Sequence, residues 1–347
     1  MRILVVGAGA VGGYFGGRLL QAGRDVTFLV RPRRAAELAK HGLTIRSPVG
    51  DFHRASPPIV LEENLTEPFD LVVLSCKAFD LEGAITSFAK AVGPATAILP
   101  LLNGMRHIDR LVERFGAERV LGGQCAISTT LGDDGAVVHL NDWHALSFGE
   151  LDGSRSPRIE TVAAALLNAG FDARLADNIR QEMWEKWVFI ATAAGITCLM
   201  RASVGDYVAA GAADLALQLL NECASIAAAQ GFPLREPALE RGRTALAGVG
   251  SPLKASMLRD IEGGKPVEGD QILGDMLRRA ANPDAPSLLR IATLHLKAYE
   301  AVRKAGPLPA TRDACATGRV GISATASRIS EGERAWRTPR RSTGPMR

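Results

Sequence analysis

The residues with the most chemistry in them form a glycine loop. Gly7-Ala8-Gly9-Ala10-Val11-Gly12 follows directly on the apolar run Ile3-Leu4-Val5-Val6. A G-x-G-x-x-G loop between a buried strand and a helix brings backbone N–H groups against a dinucleotide pyrophosphate. The first glycine makes the tight turn, the second lets the backbone approach the phosphates, and the third lets helix and strand pack closely. The bland alternative is a glycine-rich turn in some other α/β protein. Just past the next apolar run stand Arg31, Arg33 and Arg34, where NAD-binding loops usually place Asp or Glu for the ribose 2′-hydroxyl. A guanidinium binds a 2′-phosphate through paired charge-assisted hydrogen bonds, whereas a carboxylate would repel it. NADP(H) is therefore the expected cofactor, with Arg31, first past the strand, as the phosphate ligand. The alternative for this segment is a solvated basic loop.

Three further groups stand where strands or helices would aim them into a cleft. Lys77 follows a strand ending in Ser75-Cys76, and Asn103-Gly104 follows one ending in Leu101-Leu102. Both are strand-end loops beside the cofactor. Lys186, in Met183-Trp184-Glu185-Lys186-Trp187, immediately precedes a largely apolar stretch. Its four-carbon stem can pack while the ammonium reaches a cleft. Desolvation there lowers a lysine's pKa towards the range useful to a general acid. A solvated lysine at a helix edge is the competing reading. The six histidines and five cysteines form no H-E-x-x-H or C-x-x-C pair, so no metal is expected and the thiols are read as reduced.

The elements that must position these groups alternate. Strands are expected at 3–6, 25–30, 70–76, 97–102 and from 119, with helices at 14–22, 81–92 and 108–115 between them. Such alternation implies a parallel, doubly wound sheet. Residues 135–149 read as antiparallel strands closing that sheet, and 157–169 as a further helix. From about 178 only helical spacing remains, at 179–200, 212–230, 253–262, 271–281 and 287–304. The expected fold is an α/β N-terminal Rossmann-type doubly wound sheet plus an all-α C-terminal domain. Residues 1–172 would form the NADP-binding domain and 173–304 a helical substrate and dimerisation domain, with the ligand cleft between them.

Composition is that of ordinary globular material: 347 residues, 47% hydrophobic and 22% charged. The formal net charge of +4 is carried by residues 305–347, a Gly/Pro/Ser/Arg-rich tail expected to be disordered. With the basicity confined to a tail, a nucleic-acid role is disfavoured. The apolar start is too short for a signal peptide, and the apolar stretch 188–200 too short to span a bilayer, so a cytoplasmic protein without membrane contact is expected.

Taken together, these motifs are similar to those of the ketopantoate reductase family (2-dehydropantoate 2-reductase). The resemblance covers residues 1–304. It rests on the glycine loop, Arg31, Ser75-Cys76-Lys77-Ala78, Leu102-Asn103-Gly104-Met105, Met183-Trp184-Glu185-Lys186-Trp187, Ser256-Met257-Leu258-Arg259-Asp260 and Glu268. It implies that Lys186 is the general acid, protonating the C2 oxygen of a 2-oxo acid while NADPH delivers hydride to C2. It further implies that Glu268 positions substrate and lysine, that Asn103 and Lys77 line the cofactor and substrate site, and that Ser256 holds the substrate carboxylate. Read without the resemblance, Glu268 is a surface carboxylate and Ser256 a helix cap. The expected partner is a small 2-oxo acid, with a homodimer as the assembly the helical part allows.

The chain departs from the family where asparagines are expected: Ile190 and Ala194, one and two helical turns after Lys186, and Val204. Positions spaced by four share a helix face, so the face that would hold the pantoate hydroxyl and carboxylate is read as apolar, pointing to a related or broader 2-oxo acid substrate. Two other readings compete. A non-catalytic NADP(H)-binding redox-sensing module would need the loop and Arg31 but not Lys186. An opine- or 3-hydroxyacid-type dehydrogenase would need a catalytic histidine, for which the nearest candidate, His107, reads as loop surface.

Overall fold

The computed structural model describes residues 1–305. The expected disordered tail lies outside them, except for Ala305. Strands β1 (Arg2–Val6), β2 (Asp25–Leu29), β5 (Ile59–Val60), β6 (Leu71–Leu74) and β7 (Ala97–Pro100) form a wholly parallel sheet in the order β5-β2-β1-β6-β7. The helices α1 (Ala10–Gln21), α2 (Pro32–His41), α3 (Leu81–Phe88) and α4 (Arg106–Phe115) alternate with these strands. Because the strands are parallel, Val6, Leu29, Leu74 and Pro100 all end on one edge, and the loops bearing Gly7, Arg31, Lys77 and Asn103 gather there.

Strands β3 (Leu43–Arg46), β4 (Phe52–Arg54), β8 (Leu121–Leu131), β9 (Val137–Glu150) and β10 (Asp172–Leu175) make a second sheet, in which β9 pairs with β8, β10 and β3. This corrects the expectation that 135–149 closes the first sheet. β9 runs antiparallel to β8 but parallel to β3 and β10. Among the described residues the one backbone bridge between the sheets joins Val120, just before β8, to Ile98, and β8 then packs on β7, where a methyl group on Gly123 would meet Leu99 and the Pro100 carbonyl at 2.5 Å. Helix α1 is sandwiched between the two sheets. A methyl group on its Gly16 would meet Phe28 of β2 at 2.5 Å, and one on Gly13 would meet Val137 of β9 at 2.8 Å. α5 (Pro157–Leu166) leads to β10, and the domain boundary expected at 172/173 falls inside that strand, so the strand-bearing part runs through Leu175.

The all-helical part holds α6 (Ile179–Met200), α7 (Val204–Ala209), α8 (Ala213–Ala229), α9 (Glu236–Leu246), α10 (Ser256–Glu262), α11 (Asp275–Arg278) and α12 (Leu288–Ala305). α6 matches its expected span and is capped by Asn178, whose side chain accepts from the Gln181 N–H at 3.1 Å. The helix expected at 271–281 is instead a π-turn, Asp270–Gly274, running into α11. Residues 253–255 are not helical, because the Leu253 and Ser251 carbonyls accept from the first N–H groups of α7, Val204 and Gly205. α7 and α9 were not anticipated: α7 is a six-residue helix opened by a capping box between Ser203 and Asp206, and α9 carries charge at four of its eleven residues, which thins its apolar face.

Alternate residues of β1 feed two cores, as the period-2 geometry of a strand requires. Ile3 and Val5 pack with Tyr14, Phe15 and Phe28 between the sheets. Leu4 and Val6 join a cluster that continues through Leu74 and Leu102 into Trp184, Trp187 and Leu219 of the helical part.

Candidate active site

The glycine loop has the shape of a pyrophosphate cradle. Gly7 turns at φ +93°, a conformation disfavoured for residues with a Cβ. A methyl on Gly12 would meet Ser75 Oγ at 2.1 Å and the Gly7 carbonyl at 2.2 Å, so close packing requires glycine there. A methyl on Gly9 would meet nothing within 4 Å, which leaves open space where a phosphate would approach the loop. The residues present therefore fit a dinucleotide. The three arginines differ in role. Arg34 is mostly buried and braces the loop, with Nε donating to the Ala8 carbonyl and Nη2 to the Gly135 carbonyl, both at 3.0 Å. Arg33 is solvent-facing and pairs with Glu37 at 3.1 Å. Arg31, the cap residue of α2, has a side chain 74% exposed and pairs with Asp80 at 2.7 Å, an interaction that raises its pKa.

Across the carboxyl edge of the sheet lies Lys186. Its Nζ donates to the Cys125 carbonyl of β8 at 2.6 Å. Burial of the ammonium depresses its pKa below the ordinary 10.5. Lys186 lines a cavity of about 10 Å³ with Asn103, Gly104, Gln124, Trp187 and Ile190. That volume suits about one water molecule. A larger cavity of about 470 Å³ lies at the amino-terminal end of β2 by Arg24 and Asp25, and none of the expected site residues borders it. The convergent polar groups line the smaller cavity, which is the candidate site. The neighbouring Glu185 is structural: it is buried and receives two bonds of 2.7 Å from Arg235, which fixes α6 just before the lysine.

Asn103 is held by its backbone. Gln271 of the π-turn donates to its carbonyl at 3.2 Å. π-turns recur at functional sites, and this one docks against Gly104, whose φ is +83°. His107 overturns its expectation. It lies on α4, fully buried, with Nδ1 3.5 Å from Gln271 Nε2, and burial together with the Lys186 charge pushes its pKa down to about 3. It is neutral and is no acid–base histidine for a hydroxyacid-type mechanism.

Glu268 does not meet Lys186. Its carboxylate accepts from the Ala78 N–H at 2.9 Å and from Lys77 Nζ at 3.4 Å, and Lys77 also lies 3.8 Å from Asp260. Glu268 and Lys77 thus join the helical part to the loop after β6, whereas Lys186 and Asn103 form a separate group. Ser256, the first residue of α10, is exposed and makes no side-chain hydrogen bond among the described residues. Of the three apolar replacements only Ile190 borders the cavity, while Ala194 (4% exposed) and Val204 (0%) are packed into the core. Gln124 and Gln271 were missed by sequence reasoning, since an isolated amide side chain carries no motif. Among the described residues no cluster of metal-ligating side chains occurs, and no helix is long and apolar enough to cross a membrane.

A parallel sheet with a glycine loop shaped to admit a pyrophosphate, an all-helical second part and a half-buried lysine where they meet define a two-domain dinucleotide-binding oxidoreductase. The family model for ketopantoate reductase PanE/ApbA matches residues 3–153, and the model for its C-terminal part matches residues 178–298. The chain belongs to the ketopantoate reductase family. It is 37% identical over 305 residues to an uncharacterized oxidoreductase, YkpB, of Bacillus subtilis (strain 168), covering 87% of this chain and 99% of that protein. A 2-dehydropantoate 2-reductase of Mesorhizobium japonicum is 27% identical over 330 residues, covering 88% and 99%. Among solved structures, 2-dehydropantoate 2-reductase from Geobacter metallireducens GS-15 superposes with a TM-score of 0.77 at 30% identity, covering 86% of this chain and 99% of that one. These comparisons lend no support to a non-catalytic binding module.

Proposed function

We propose that this protein is an NADPH-dependent reductase of 2-oxo acids, acting on 2-dehydropantoate or a close relative. The observation that carries the reading is Lys186: a buried ammonium, anchored by the Cys125 carbonyl, in a cavity shared with Asn103. The glycine loop and Arg31 would hold the dinucleotide, which when bound would supply the hydride that reduces C2 of the ketone. Lys186 Nζ donates a proton to the C2 oxygen as charge develops there, yielding the 2-hydroxy acid and a neutral amine that regains its proton from solvent. An ammonium has three donors, so the bond to Cys125 orients Lys186 and leaves two for substrate. A charged donor in a water-poor site stabilises a developing oxyanion far better than the same donor in water.

Arg31 supports NADPH over NADH in this proposal. Its exposed guanidinium follows β2, free to exchange Asp80 for a ribose 2′-phosphate. Glu268 and Lys77 act at the joint between the two parts, holding the loop after β6 against the helical part. The test is loss of nicotinamide absorbance with a panel of 2-oxo acids. Lys186→Ala should lower kcat by about 10²–10⁴-fold, the usual contribution of a positioned acid. Undiminished turnover in that variant, or no turnover of any 2-oxo acid by the wild type, would refute the reading.

A further inference from the structure

The face of α6 that carries Lys186 is flanked by Glu182 one turn before and Ile190 one turn after. Glu182 is paired with Arg174, whose Nη1 donates to it at 3.0 Å and whose Nη2 donates to Ser147 Oγ at 2.9 Å. Thus fixed, Glu182 accepts from the amide nitrogen of Gln124 on β8 at 3.2 Å. A carboxylate partner settles which way the amide faces, because a flipped amide would set two oxygens against each other. The other end, Gln124 Oε1, is buried and has no hydrogen-bond partner among the described residues. Gln124 lines the same small cavity as Lys186, Asn103 and Ile190. A buried acceptor left unpaired is costly and calls for a donor.

We propose that Gln124 is a specificity-determining residue: its Oε1 accepts from a hydroxyl on the substrate beyond the 2-oxo acid group, so the site selects hydroxylated 2-oxo acids. It would take over the polar contact that Ile190 cannot make. The selection comes from β8, through the Arg174–Glu182–Gln124 chain, rather than from α6. This inference rests on the reductase reading above.

The experiment compares kcat/KM for 2-dehydropantoate and for 3,3-dimethyl-2-oxobutanoate, which lacks only the C4 hydroxyl. A site built around a substrate hydroxyl rejects the analogue lacking it, so the wild type should favour the hydroxylated acid on the order of 10²-fold or more. Gln124→Met, similar in length and unable to accept strongly, should cut that ratio about tenfold or more, chiefly through the hydroxylated acid. Gln124→Asn, with a retracted amide, should fall between, and it carries the test if the Met variant does not fold. A ratio unchanged by the substitution, or a wild type that reduces both acids equally well, overturns the inference and leaves the reductase reading standing. If the wild type reduces neither acid but does reduce another 2-oxo acid of the panel, the inference is overturned; if it reduces none at all, the reductase reading falls. Calorimetric titration of the two acids into protein saturated with NADP⁺ then decides the inference, and equal affinities overturn it.

Discussion

In the proposed reaction Lys186 must remain a proton donor in surroundings that disfavour its charge. Burial depresses its pKa, and one carbonyl, that of Cys125, faces the ammonium at 2.6 Å. The sign of the consequence is fixed. The reductive direction needs the protonated amine, which is present below the pKa and lost as pH rises through it. The kcat/KM profile for reduction should therefore be flat on its acid side and fall on its alkaline side at a pH below the ordinary lysine value of 10.5. Lys186→Arg, whose guanidinium keeps its proton throughout that range, should remove the alkaline limb even at a reduced rate. A limb that survives in the arginine variant assigns the titration to another group. Arg31 makes a second residue-level prediction. Replacing it with Ala should weaken NADPH by about 10–100-fold, the loss of a charge-assisted contact, and leave NADH nearly unchanged. Equal effects on both cofactors, measured by fluorescence titration, would remove Arg31 from the 2′-phosphate. Both residues stand out as candidates in the sequence because each sits at a fixed offset from a strand or in a motif. Gln124 and His107 were not legible, since their roles depend on which neighbour each meets across the chain, Glu182 in one case and Gln271 in the other.

At the scale of elements, the glycine loop separates two requirements that a motif merges. Gly12 has no room for a side chain, and the obstructing Gly7 carbonyl is backbone that cannot rotate away. Gly9 has room, and at φ −83° an alanine would be unstrained. Gly12→Ala should therefore destabilise the fold by about 1–3 kcal/mol, as overpacking does. Gly9→Ala should change stability by less than about 0.5 kcal/mol yet weaken the cofactor at least tenfold, because its methyl enters the space a pyrophosphate would use. Urea denaturation and cofactor titration on both variants check this. Similar losses of stability in the two would mean that Gly9 serves packing. The elements themselves were readable where a period and a terminator coincide, as in β1, β2 and α6. They were misread where pairing decides. The strand pattern of 137–150 does not say which sheet it joins, and β9 pairs with β8, β3 and β10 instead of the first sheet. The π-turn at Asp270–Gly274 was likewise hidden inside a helical pattern, since a single widened turn is too short to show in the spacing of apolar residues.

For the molecule as a whole, the joint between strands and helices decides whether the site exists at all. Lys186 and Glu268 come from the helical part, and the glycine loop, Asn103 and Lys77 from the sheet. What holds them in register is a shared core: Val6, Leu74 and Leu102 pack in one cluster with Trp184, Trp187 and Leu219. Polar ties follow the same boundary. Arg106 on α4 pairs with Asp270 at 2.9 Å, Arg279 pairs with Asp109, Gln271 holds the Asn103 carbonyl, and Glu268 holds the Ala78 N–H. Exposed ion pairs contribute at most about 1 kcal/mol each, so the apolar cluster must supply most of the coupling, and salt should weaken it little. The expected outcome is one cooperative transition in urea, with tryptophan emission and far-ultraviolet circular dichroism coinciding, and with nearly the same midpoint in low and in high sodium chloride. Two separated transitions would mean that the sheet and the helical part fold independently, and a midpoint that falls steeply with salt would mean that the ion pairs, rather than the tryptophan-bearing core, fasten Lys186 to the glycine loop.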